Sequence, residues 1–257
     1  MNARTPDHPA AGAGTSSVPL SLVHDVRPPA PGANAEGARP PLLILLHGVG
    51  ANERQMAALA PAFDPRFVVV SARSPLTLGR GPSGQEAFGW FHVTFTPEGP
   101  VIDRDEAAAG WAHVARFADE AAAAYGADPA RVYVGGFSQG GIMALAALLT
   151  APERIAGAVA MSGRLLPEVL PQAAPADALR GRRALVVHGT ADEKLGIHLA
   201  RWAREQLARF PLALTYRELP MGHGITDESV RTAAGWLTAA LDGRSDGGSD
   251  ATEEAAR

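Results

Sequence analysis

Three residues stand where they could act in succession on a carbonyl. Ser138 is the centre of Gly136-Phe137-Ser138-Gln139-Gly140, a G-x-S-x-G. A serine hydroxyl is a poor nucleophile and must be presented clear of the backbone, within reach of a base and of donors for an oxyanion; a tight strand-to-helix turn does this. Such a turn crowds the residues two before and two after the serine, so those positions need residues without a Cβ, and both are glycine. Of the eight histidines, His47, His188 and His223 directly follow predicted strands, where functional groups gather in an open parallel sheet. His223, between Gly222 and Gly224, alone comes late enough for the order serine, acid, histidine, and its flanking glycines suggest a compact, unhindered loop. The acid should fall between Ser138 and His223 at a strand end. Asp192 in His188-Gly189-Thr190-Ala191-Asp192-Glu193 fits, with Glu193 the adjacent rival, while Asp177 is far from any predicted strand end. His188 is read as bracing the turn.

The elements that must position these groups follow from pattern. Val132 to Val134 reads as a strand, and Ile142, Leu145, Ala146 and Leu149 recur at helical spacing behind the serine, which predicts an amphipathic helix. Leu42 to Leu46 is an unbroken apolar run, expected of a strand covered on both faces. It leads into His47-Gly48-Val49-Gly50, whose glycines let backbone N–H groups converge on an oxyanion and equally suit an ordinary strand-to-helix turn. Val18 to Val26 suggests an edge strand, Met56 to Ala60 a short helix, and Phe67 to Val70 a buried strand.

Ser71 to Gly99 lacks clear periodicity and reads as a long loop carrying Phe88, Trp90, Phe91 and Phe95. Those aromatics could wall an acyl pocket or anchor the loop to the core. Phe88, Trp90 and Phe91, with Leu165 from the segment after the Ile155 to Met161 strand, are the candidate pocket residues. Asp103 and Glu106 predict a capping box for a helix closed by Gly126 and Pro129. Further strands at Ala184 to His188 and Leu212 to Leu219 alternate with helices around Leu199 to Phe210 and Val230 to Leu241, which predicts a mostly parallel sheet with helices on both faces. A single domain is expected over residues 18–241, between disordered tails at 1–17 and 242–257.

Composition narrows the chemistry. The chain of 257 residues has 46% hydrophobic residues and a formal charge of −4, with no basic stretch interleaved with aromatics, which points away from nucleic acid. It has no cysteine, which excludes disulfides, a thiol nucleophile and thiolate-held zinc. Lys194 is its only lysine, a poor basis for Schiff-base chemistry. There is no run long enough to span a bilayer and no basic segment leading into an apolar leader, so no stable membrane insertion and a cytoplasmic location are expected.

LLILLHGVGANE, GGFSQGG, VVHGTADE and PMGHG, in that order, together resemble the phospholipase/carboxylesterase family of α/β-hydrolases, which includes acyl-protein thioesterases and small bacterial carboxylesterases. The resemblance spans roughly Leu20 to Leu241. It implies an α/β-hydrolase fold without a large cap domain, with Ser138 as nucleophile, His223 as base, Asp192 as its orienter, and the backbone N–H groups of Val49 and Gln139 as oxyanion donors. It also implies a small-molecule ester or thioester substrate, no metal or organic cofactor, and a monomer or homodimer. Where many members carry Asp after the second glycine of HGxGD, this chain has Ala51 and Asn52, so the turn is held differently. Short to medium acyl esters are the expected substrates, with acyl thioesters or lysophospholipids as the alternative. A non-catalytic binding module of the same fold and a peptidase are remoter readings.

Overall fold

Alternate residues of the buried strands face opposite cores, which is why their sequences are apolar throughout. A computed structural model describes residues 20–81, 84–96 and 99–244; the expected tail at 1–17 and all but the first residues of that at 242–257 lie outside them. The central strands are β1 (His24–Arg27), β2 (Leu42–Leu46) and β3 (Val68–Ala72), followed after an excursion by β8 (Val132–Phe137), β9 (Gly157–Met161), β10 (Arg183–Gly189) and β11 (Ala213–Leu219). Their spatial order is β1-β3-β2-β8-β9-β10-β11. Only β1 runs antiparallel, pairing with β3; every other neighbouring pair is parallel.

Leu42, Ile44, Leu46, Val132, Val134, Ala184 and Val186 belong to one core, and Leu43, Leu45, Tyr133, Val159, Leu185 and Val187 to the other. The first is closed by helices α2 (Arg104–Ala124), α3 (Gln139–Thr150) and α4 (Ile197–Leu207), the second by α1 (Glu53–Ala57) and α5 (Asp227–Leu241). A mostly parallel sheet with helices on both faces is therefore present as expected. The ordered chain continues past Leu241: Asp242 pairs with Arg66 at 2.7 Å, and Arg183 donates to the Arg244 carbonyl.

Three local expectations change. Helix α3 is not amphipathic, because every residue from Gln139 to Leu149 is buried between the sheet, α2 and the turn at Pro167–Gln172; a helix enclosed on all sides is apolar on all sides. The segment from Ser71 to Gly99 is not an irregular loop. It starts in β3 and then forms the hairpin β4 (Leu76–Arg80) with β5 (Glu86–Gly89), and goes on into β6 (Val93–Thr96), which pairs with β7 (Gly99–Ile102). A bulge between Thr77 and Gly79, with Gly79 at φ 100°, breaks the alternation that would have betrayed the first hairpin. At the start of α2, Asp103 accepts from the N–H groups of Asp105 and Glu106, but the capping box closes one way only. The Glu106 carboxylate turns instead to the His92 N–H at 2.7 Å, tying the excursion to α2.

Candidate active site

Strand β8 ends in a turn that puts Ser138 at φ 53° and ψ −116°, a conformation a non-glycine residue adopts only under constraint. The constraint is steric and local. A Cβ at Gly136 would collide with the Gly140 carbonyl, and one at Gly140 with the Leu46 carbonyl, so both positions need glycine as the motif predicts. Ser138 donates its N–H to the Met161 carbonyl at 2.9 Å, pinning the turn to the end of β9.

The other two groups arrive from the ends of β10 and β11. His223 Nε2 lies 3.0 Å from Ser138 Oγ, and His223 Nδ1 lies 2.8 Å from Asp192 Oδ2. A carboxylate only accepts, so Nδ1 carries the proton and Nε2 is left to accept from the serine hydroxyl. Asp192 is itself fixed: its Oδ1 accepts from the N–H groups of Lys194 (2.9 Å) and Leu195 (2.8 Å), and its side chain is fully buried. Glu193 is exposed and has no such partners among the described residues. The glycines flanking His223 are not what shapes its loop, since neither has a positive φ or a tight neighbour. Crowding falls on Gly189, where a Cβ would strike the Met221 carbonyl, and the Ala191 N–H to Met221 carbonyl bond (3.1 Å) joins the two loops.

His188 is wholly buried, its Nε2 2.6 Å from the Leu195 carbonyl and 3.3 Å from Asp192 Oδ2. Both partners are acceptors, so Nε2 carries the hydrogen and braces the Asp192 turn, while Nδ1 is buried and has no partner among the described residues. His47 is also fully buried. Its Nε2 accepts from the Ser74 N–H at 3.0 Å, so Nδ1 donates to the Gly48 carbonyl at 2.8 Å, and burial holds the imidazole below its ordinary pKa and neutral.

The HGVG turn lies against the serine: a Cβ on Gly48 would sit 3.0 Å from the Phe137 ring and 3.4 Å from Ser138 Cβ. Without the Asp common after it, the turn is held by the excursion. Gly50 donates to the Phe88 carbonyl (2.8 Å), Phe88 donates back to the Ala51 carbonyl (3.0 Å), and Asn52 caps α1 through the Arg54 N–H. Among the described residues the N–H groups of Val49 and Gln139 donate to no protein acceptor, and both residues border the cavity above Ser138.

That cavity has a volume of about 400 Å³ and is open to solvent. Of the four candidate wall residues, Phe91 lines it and the other three do not. Trp90 is buried with its indole N–H on the His47 carbonyl (3.0 Å), Phe88 packs under the Arg73 guanidinium, and Leu165 belongs to the core. Trp90 and Phe88 anchor the excursion, the other role open to the aromatics from sequence. The apolar wall comes instead from Val93, Pro100 and Ile102 of the β6–β7 hairpin, with Ile142 and Leu195. Sequence reasoning also missed the Gln139 side chain, whose Oε1 accepts from the Trp90 N–H and whose Nε2 donates to the Phe91 carbonyl, both at 2.7 Å. It missed Arg164 too, a half-buried guanidinium on the cavity wall that burial holds below its ordinary pKa, with the charge of Glu168 opposing. A basic residue shortly after a strand end was the available signal. Among the described residues there is no cluster of His, Asp and Glu suited to holding a metal ion, and no helix is long and apolar enough to cross a membrane.

The sheet order, the helices on both faces and a serine at a strained strand-to-helix turn define an α/β-hydrolase. Residues 33–241 match the phospholipase/carboxylesterase family model, and the chain belongs to that family. It is 28% identical over 209 residues to a probable carboxylesterase of Oryza sativa subsp. japonica, covering 76% of this chain and 86% of that one. It is 28% identical over 235 residues to acyl-protein thioesterase 1 of Neurospora crassa, covering 79% and 92%. Among solved structures, a carboxylesterase from Mesorhizobium loti superposes with a TM-score of 0.68 at 25% identity, covering 86% of this chain and 96% of that one. The protein is accordingly a hydrolase of carboxylic esters or thioesters.

Proposed function

We propose that the protein hydrolyses short to medium acyl esters through an acyl-enzyme on Ser138, with thioesters as the alternative substrates. The observation that carries this reading is the unbroken hydrogen-bond chain from Ser138 Oγ through His223 to a buried Asp192, at the base of an apolar cavity. In this scheme His223 Nε2 takes the hydroxyl proton as Oγ bonds to the acyl carbon. Asp192 holds the imidazole in the required tautomer and steadies the imidazolium. The carbonyl oxygen becomes an oxyanion facing the unclaimed N–H groups of Val49 and Gln139, a pair of donors fixed before the charge forms. Collapse breaks the bond to the alcohol or thiol, which leaves with the proton from His223. Water, deprotonated by the same nitrogen, then attacks the acyl-enzyme and releases the acid and free Ser138.

Intact-mass analysis after treatment with a fluorophosphonate tests the scheme, run beside p-nitrophenyl esters of increasing chain length and a matching acyl thioester. One adduct mapped to Ser138, absent in Ser138→Ala, with turnover of butyrate-length esters, is expected. An unlabelled but folded protein, or full turnover in Ser138→Ala, would refute it. Faster turnover of the thioester would move the assignment to the alternative.

A further inference from the structure

The cavity's charge runs against that of the chain. The sequence has 27 acidic and 23 Lys and Arg residues, yet the charged side chains on the cavity are Arg164 and Lys194, and no described Asp or Glu lines it. Arg164 reaches there because the chain leaving β9 passes directly behind the serine: a Cβ at Gly163 would lie 3.2 Å from the Ser138 carbonyl oxygen. The guanidinium is half buried, and among the described residues it has neither a hydrogen bond nor an ion pair within 4 Å. The charge of Glu168 acts on it, but that carboxylate is engaged by the Arg104 Nε at 3.0 Å. A guanidinium offers five N–H donors in a planar fork, and removing it from water without a partner is costly. A ligand carboxylate would supply the missing acceptor bidentately, at the edge of an otherwise apolar wall. Lys194, exposed and with its N–H on Asp192, adds a second positive charge to the same cavity.

We propose that this site selects esters bearing a second, anionic group, a carboxylate on the acyl or the alcohol portion, which Arg164 engages while Ser138 attacks the ester carbonyl. This rests on the Ser138 reading above. It differs from the general expectation for a neutral acyl pocket, since a simple aliphatic ester leaves Arg164 unpaired.

The test compares kcat/KM for p-nitrophenyl hemiglutarate and p-nitrophenyl valerate, which differ by a terminal carboxylate. A second pair, the butyrate esters of 4-hydroxybenzoate and of 4-hydroxybenzamide, places the charge on the alcohol side. We expect the wild type to favour the anionic member of one pair, and that pair identifies which portion carries the charge. In Arg164→Gln the preference should fall by roughly 10- to 100-fold, the range for a charge-assisted bidentate contact, with part of it retained in Arg164→Lys. Because the readout is a ratio within each variant, it does not require neutral-ester activity to stay constant. In the wild type, turnover of the preferred anionic ester should also weaken with added salt while that of its neutral counterpart does not. Equal rates for both pairs, salt-insensitive turnover of the anionic ester, or an unchanged ratio in Arg164→Gln would overturn this inference alone. No turnover of any ester and no fluorophosphonate adduct would overturn the Ser138 reading and this one with it.

Discussion

Replacing Asp192 by Asn isolates the tautomer argument, because the structure dictates which way the new amide must face. Oδ1 accepts from two backbone N–H groups, those of Lys194 and Leu195, and an NH2 group cannot take that place without opposing two donors. The amide oxygen therefore stays there and the NH2 group occupies the Oδ2 position, 2.8 Å from His223 Nδ1. Nδ1 then becomes the acceptor, and Nε2 carries the hydrogen towards Ser138 Oγ, where it cannot take the serine proton. Such a reversal costs on the order of 10⁴-fold in kcat in the serine-protease counterpart, which is about 5.5 kcal/mol of transition-state stabilisation. The assay is kcat/KM on p-nitrophenyl butyrate near pH 8, with the rate of fluorophosphonate labelling as a second readout and thermal melting to confirm the fold. Glu193→Gln, on an exposed side chain, should stay within about twofold of wild type, as surface changes usually do. Retention of more than a tenth of wild-type activity in Asp192→Asn, or a larger loss in Glu193→Gln, would refute the assignment of the orienter.

Ser138→Gly should abolish turnover yet raise stability by about 1 kcal/mol, the relief of a strained φ less the added freedom of glycine in the unfolded chain. Thermal melting checks this, with a shift of about +3 °C expected for a chain of this size. Gln139→Ala would leave the buried Trp90 N–H and Phe91 carbonyl without partners, at a cost of roughly 3 kcal/mol. Loosening Phe91 on the cavity wall should also raise KM, as denaturant melts and ester kinetics would show. His47 is neutral because burial lowers its pKa, so the unfolded chain binds the extra proton first. Its contribution is complete above the ordinary His value of 6.5 and is lost as pH falls from there to the lowered folded value. Urea melts from pH 7.5 to 5 should show declining stability with a slope that flattens in His47→Gln.

The fold and the hydrogen-bonded set of Ser138, His223 and Asp192 were legible because each leaves a local mark. β2 and β8 are short apolar runs ended by glycines, and the turn at Ser138 needs Gly136 and Gly140 for reasons that lie within five residues. Asp192 and His223 could be chosen because parallel strands deliver their carboxyl ends to one edge, so order along the chain becomes neighbourhood in space. Arg164 carries no such mark, since it matters only once the end of β9 is brought beside the β6–β7 hairpin. The hairpins themselves were obscured by a bulge and by glycines in left-handed conformations, which disrupt the two-residue period. Glu106 had the right spacing for a capping box, but the nearby His92 N–H competed for its carboxylate.

The excursion between β3 and α2 joins two properties that the sequence presents separately. Phe88 holds the HGVG turn through paired backbone bonds to Gly50 and Ala51. Two residues on, Trp90 and Phe91 are clamped by the side chain of Gln139, the residue whose backbone N–H we assign to the oxyanion. Phe91 then lines the cavity, and His92 fastens the segment to α2 through Glu106. One run of five residues thus holds both the turn that bears the proposed Val49 donor and part of the cavity wall. The two cannot drift independently: a shift in this segment that reshapes the cavity also displaces the turn bearing the Val49 N–H. In the proposed scheme this contact therefore couples substrate fit to transition-state stabilisation.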